Sequence, residues 1–143
     1  MKNGAHQVTL LFLLIFAISG ESIAAGKDQS QINCSIQDGP CIQEVNGHKV
    51  TLEVLPRPVK AMHDLIFKVT IDGDVALSKP PHIDLNMPAM DMGRNRVSLK
   101  SNEKNIYEGS GVIVRCKSGH RTWRAAVNFP GIGIADFIFD VIY

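Results

Sequence analysis

Apart from one apolar run near its start, the 143-residue chain lacks any segment approaching membrane-spanning length. It also lacks an excess of either charge. Lys and Arg number 15 against 14 Asp and Glu, so nothing recommends nucleic acid or an anionic membrane as a partner. Cys-x-x-Cys, which a disulfide-exchange enzyme would want, is missing. There is no spaced carboxylate pair, no nucleophile with an evident base and no phosphate-binding glycine loop. The chain is therefore not expected to be an enzyme, and no small-molecule substrate is evident. Internal repeats and low-complexity tracts are absent too.

The apolar run extends from Val8 to Ser19, follows a short start carrying Lys2, and leads into the small-residue stretch Ser22-Ile23-Ala24-Ala25-Gly26. This is the order of a cleavable signal peptide. The run falls short of the roughly 20 residues a membrane-crossing helix needs, so a retained anchor is the weaker reading. Residues 1–25 are expected to be removed, with cleavage near Ala24 or Ala25. The first cysteine is Cys34, too late for a lipoprotein signal. The expected destination is the periplasm or the extracellular space. What remains, about 118 residues, suits one domain with its own core.

Residues 26–48 read as an N-terminal arm, with polar stretches, two cysteines and the turn signal Asp38-Gly39-Pro40. From residue 49 to 143 the pattern changes to short β-branched and aromatic runs between turn signals. Seven strand candidates stand out: Val50–Leu55, Leu65–Ile71, His82–Met87, Arg96–Leu99, Tyr107–Arg115, Trp123–Phe129 and Ile134–Tyr143. With no convincing amphipathic helix between them, they favour an all-β, two-sheet sandwich. Leu65, Phe67, Val69 and Ile71 share one face while Ile66, Lys68 and Thr70 share the other. Trp123 is the candidate for the large aromatic of the core.

Three methionines, Met87, Met90 and Met92, lie within six positions of one another. Pro88 ends the strand carrying Met87, so Met90 and Met92 belong to the turn or edge that follows. Thioether sulfur is a soft, uncharged donor that favours Cu(I) over hard cations. In an exported protein this pattern points to copper, the alternative being that the methionines fill an irregular end of the core. Asp91, between two of them, does not suit a purely apolar plug.

Export places Cys34, Cys41 and Cys116 where disulfides form. A Cys34–Cys41 bridge, closing a short local loop, is favoured over pairings that use Cys116. Cys116 is then a buried small residue, a reactive thiol or a soft metal ligand. With His120 four residues on, it resembles the ligand loop of blue-copper proteins, although no methionine follows. Arg115, Lys117, Arg121 and Arg124 form a local positive cluster that would lower the thiol pKa if they surround it, or else an ordinary charged face. Among the histidines, His82 is the best candidate ligand, being on the strand that leads into the methionines.

Met87-Pro-Ala-Met-Asp-Met-Gly93, Tyr107-Glu108-Gly109 opening a later strand and Trp123 starting the next one give residues 48–143 a likeness to a known group. The domain resembles the YtkA-like and FixH-like families of small exported β-sandwich proteins. That resemblance implies a seven-stranded immunoglobulin-like fold and a link to copper handling, with Met87, Met90 and Met92 as ligands. The chain departs from the pattern before Trp123, where a methionine-containing turn is expected, and in its Cys34/Cys41 arm. Two functions are thus expected as alternatives. One is a copper-binding or copper-delivery protein with a copper-accepting or membrane-protein partner, its Cu(I) held by Met87, Met90 and Met92, with Cys116 or His82 as further ligands. The other is a non-metal immunoglobulin-like module that assembles with a membrane or envelope partner.

Overall fold

Alternation of large apolar residues with polar ones makes each of the expected runs a strand with one face to bury. The computed structural model describes residues 31–88 and 90–143. The expected signal peptide over 1–25 lies outside the described residues. Among them are nine strands: β1 (Cys41–Val45), β2 (His48–Leu55), β3 (Asp64–Ile71), β4 (His82–Asn86), β5 (Arg96–Ser98), β6 (Lys100–Glu103), β7 (Ile106–Val112), β8 (Thr122–Phe129) and β9 (Gly133–Asp140). They form two antiparallel sheets, one ordered β1-β2-β3-β7-β6 and the other β5-β4-β8-β9. The arrangement is an all-β sandwich.

The inward residues of both sheets meet in one core, in which Phe67 and Val69 of one sheet and Trp123, Phe137 and Phe139 of the other are all fully buried. Each such side chain contributes roughly 1.5–3 kcal/mol. Trp123 is indeed the large core aromatic, while its Nε1–H has no hydrogen-bond partner among the described residues.

Nine strands replace the seven expected, and the two additions have different causes. β1 falls within residues 26–48, expected to be an irregular arm. Cys41 and Val45 turn inward there, and Asn46 and Gly47, both at positive φ (47° and 81°), make the two-residue hairpin into β2. β6 consists of four exposed residues. An edge strand held by backbone pairing alone buries nothing, and so leaves no alternation to read. The run Tyr107–Arg115 ends as a strand at Val112, and the run to Tyr143 ends at Asp140.

The two sheets are joined along both sides. β5 and β6 lie in different sheets with only the buried Leu99 between them, so the chain changes sheets in one residue. β7 accommodates that crossing with glycines. A Cβ on Gly109 would lie 2.4 Å from the Ser98 carbonyl oxygen, and one on Gly111 would lie 2.5 Å from a Val97 methyl. On the other side Asn46 Nδ2–H donates to the Ile132 carbonyl, and a Cβ on Gly133 would lie 2.9 Å from Val45.

Cys34 and Cys41 are bridged, as the short loop favours, and Cys116 is the free cysteine. The register pairs Asp64 with Val112 and Asn86 with Arg124. The start of β3, the exits of β4 and β7, the entry of β8 and the exit of β9 therefore share one end of the sandwich.

Candidate functional site

The β4–β5 loop is built around one side chain. Asn86 Oδ1 accepts the backbone N–H of Met87 at 2.8 Å and of Met92 at 3.0 Å, gathering the loop onto the end of β4. Met90 N–H donates to the Met87 carbonyl at 3.2 Å, and Gly93 N–H donates to Asp91 Oδ1 at 2.8 Å. Gly93 has a φ of 74°, a conformation open to glycine at little cost. The three methionines then face different ways. Met87 is 6% exposed and continues the inward face of β4, Met92 is half-buried against the core, and Met90 is 39% exposed.

The β7–β8 connection supplies the thiol. Gly119 N–H donates to the Cys116 carbonyl at 3.1 Å, closing a tight turn with Gly119 at a φ of 80°. Ser118 folds back so that its Oγ lies 2.9 Å from Cys116 Sγ. Tyr143 accepts the Cys116 N–H at its hydroxyl (3.1 Å) and donates that hydroxyl to the His120 carbonyl. Cys116 is 4% exposed. Its Sγ lies 4.0 Å from Met90 Sδ, across a sequence separation of 26 residues. If the thiol proton points to Met90, the Ser118 hydroxyl donates to Sγ.

The Ser118 side-chain hydrogen bond is the main cause that holds the Cys116 thiol below its ordinary pKa; backbone N–H groups of the turn add to it, against desolvation. Arg115, Lys117, Arg121 and Arg124 are not among the causes, which agrees with the alternative of an ordinary charged face. Arg124 is engaged with Asp136 at 2.7 Å, and Arg115 and Arg121 lie over the Tyr143 ring at 5.3 and 6.0 Å.

Of the five expected ligands, Met90 and Cys116 meet, Met87 and Met92 belong to the same loop, and His82 stands apart. His82 begins β4, at the opposite end of the strand and on its outward face, with Nε2 3.4 Å from Asp84 Oδ2. Asp84 is held by Arg96 at 2.7 and 3.0 Å, and that side-chain hydrogen bond is the main reason its carboxyl lies below the usual range. Among the described residues no three or more His, Cys, Asp or Glu side chains cluster as metal ligands. The His, His, Cys set of a blue-copper centre is thus not assembled among them.

Sequence reasoning missed Met62, Ser118 and Tyr143. Met62 precedes β3 at the same end, 63% exposed, with its N–H on the Ile113 carbonyl at 2.8 Å. All four methionines of the described chain and its free cysteine therefore occupy one end of the sandwich. Two sulfurs each about 2.3 Å from one metal lie at most about 4.6 Å apart, so the 4.0 Å gap between Cys116 and Met90 can be spanned without rearrangement. A thiolate beside a thioether is a soft donor set that suits Cu(I). Scanned against family models, curated proteins and solved structures, the chain matches none of them.

Proposed function

We propose that the chain is an exported copper-binding protein that holds Cu(I) at this end of the sandwich and passes it on by ligand exchange. The observation that carries the reading is the approach of Cys116 Sγ to Met90 Sδ, two soft donors from separate loops 4.0 Å apart. Cys116 is the buried anchor. It gives up its proton on binding, which the Ser118 hydrogen bond assists. Met90, exposed, is the ligand that an acceptor displaces first. Met87 and Met92 are the remaining sulfurs in reach through loop adjustment, and His82 is left out. The immunoglobulin-like ancestry and the kinship with YtkA-like and FixH-like proteins belong to this proposal, supported by the motif from Met87 to Gly93 and by Trp123 near the start of β8. So does export, supported by the leader pattern and by the Cys34–Cys41 bridge.

The reading is tested by titrating the protein, its Cys34–Cys41 bridge intact, with Cu(I) against a competing chelator, beside Cys116→Ser, Met90→Leu and the triple Met87/Met90/Met92→Leu variant. The wild type is expected to take up one Cu(I), with affinity reduced in all three variants. Equal affinity in all four proteins removes the proposal. A second reading, a metal-free docking module, is favoured by the exposed Met62, Val114, Met90 and Ile142 at the same end. It requires that outcome.

A further inference from the structure

Cys116 lies on a connection between two sheets that has no regular pairing of its own, and such a segment must be ordered by something else before it can present a sulfur at a fixed place. The side chain that does so follows β9. Tyr143 touches the Cys116 turn at four points: its hydroxyl accepts the Cys116 N–H and donates to the His120 carbonyl, and its ring carries Arg115 on one side chain contact and Arg121 on another. The backbone beside it is fixed in turn. Val141 N–H donates to the Arg121 carbonyl at 3.1 Å, Ile142 N–H to the Val59 carbonyl at 3.0 Å, and Ala61 N–H to the Ile142 carbonyl at 2.9 Å.

We infer that Tyr143 is the positioning residue of the sulfur site, setting the Cys116 turn in the conformation that brings Sγ against Met90 and keeps it from solvent. The inference rests on the copper reading for the ligand, but the placement of the thiol can be measured without metal. Tyr143 does not touch a metal in this scheme. It acts through the Cys116 and His120 backbone, at both ends of the turn. Ser118 completes the arrangement from inside the turn, where its hydroxyl meets the sulfur. The two arginines add a preorganising stack over the ring, of the kind that cations make with aromatic faces.

The experiment uses the oxidised protein, in which the Cys34–Cys41 bridge leaves Cys116 as the free thiol. Iodoacetamide alkylation of the metal-free protein reports access to Sγ, Cu(I) titration reports the site, and thermal melting reports the fold. Tyr143→Phe keeps the ring and its arginines while removing the hydroxyl. Loss of a hydrogen-bonded hydroxyl converts to roughly a 5- to 10-fold effect. The expected result is alkylation faster by that factor and Cu(I) affinity weaker by a similar one, with the melting temperature lowered by no more than about 5 °C. A fall in melting temperature with the alkylation rate unmoved would assign Tyr143 a merely structural role and overturn the inference. So would faster alkylation with unaltered Cu(I) affinity. Should Tyr143→Phe fail to fold, the paired Arg115→Gln and Arg121→Gln variant leaves the hydroxyl in place and is expected to speed alkylation by a smaller factor. No acceleration there overturns the inference. If the wild type takes up no Cu(I) but Tyr143→Phe is alkylated faster, the copper reading falls and the positioning of the thiol stands.

Discussion

The two ends of the sandwich are built from different chemistry. At the end holding the β1–β2 hairpin, side-chain amides and carboxylates close the turns onto backbone. Asp72 Oδ1 accepts Lys49 N–H at 2.6 Å, Asn105 Nδ2–H donates to the Gly73 carbonyl at 2.5 Å, and Asn46 reaches across to Ile132. Lys104 pairs with Asp74 at 3.0 Å. At the other end polar side chains also fasten backbone, Asn86 and Tyr143 on the sulfur-bearing turns, Gln37 on Val59 and Asp140, and Asn95 on Val112. The difference lies in what is held: only this end brings together a free thiol, four thioethers and the exposed Met62, Met90, Val114 and Ile142 among the described residues, the arrangement expected of an end that meets something else.

The most forceful way to break this contrast is to release the arm. Replacing Cys34 and Cys41 together by Ala should cost about 2.5 kcal/mol, from the chain entropy of a short closed loop, read as a lower urea midpoint. Next comes Asn86→Ala, which leaves the Met87 and Met92 amides without their shared acceptor. It should cost about 1–2 kcal/mol and weaken Cu(I) binding too, whereas Asn105→Ala at the far end should cost a similar amount and leave Cu(I) binding unaltered. Comparing both quantities in both variants checks whether the ends are separable.

Met90→Leu sharpens the contrast by isolating the sulfur. A volume-conserving swap at a half-exposed site should shift stability by less than about 1 kcal/mol, yet lower Cu(I) affinity. The smallest effect belongs to the outward pair Asp84–Arg96. Its carboxyl titrates lower folded than unfolded, so its contribution is present above the ordinary carboxylate range and is lost as the pH falls through the folded pKa. For a surface pair screened by solvent the effect is small, visible as a slightly shallower acid-denaturation limb in Asp84→Asn.

Much of the fold is legible as alternation. The period of two locates β2, β3 and β8 to within a residue or two, because burying one face leaves that trace, while the run expected for β9 continues three residues past its end at Asp140. β6 leaves none, being exposed on all four residues. β1 is marked instead by Asn46-Gly47, a hairpin signal at the end of a stretch whose polar residues and paired cysteines otherwise read as an arm. The site is less legible. Three methionines in one loop are visible at a glance, while the partnership of Met90 with Cys116 depends on β4 and β8 being neighbours. Tyr143 carries no local signal at all. His82 could have been set aside from the sequence itself, since placing Ile83, Leu85 and Met87 on one face puts His82 on the other.

Because the chain crosses between sheets at Leu99 on one side and is laced from Val45 and Asn46 to Gly133 and Ile132 on the other, the sandwich behaves mechanically as a short tube rather than as a book. The two sheets are held to each other along both sides, so what the molecule presents at its ends is set by the turns, fastened by Asp72 and Asn105 at one and carrying the paired sulfurs of Cys116 and Met90 at the other.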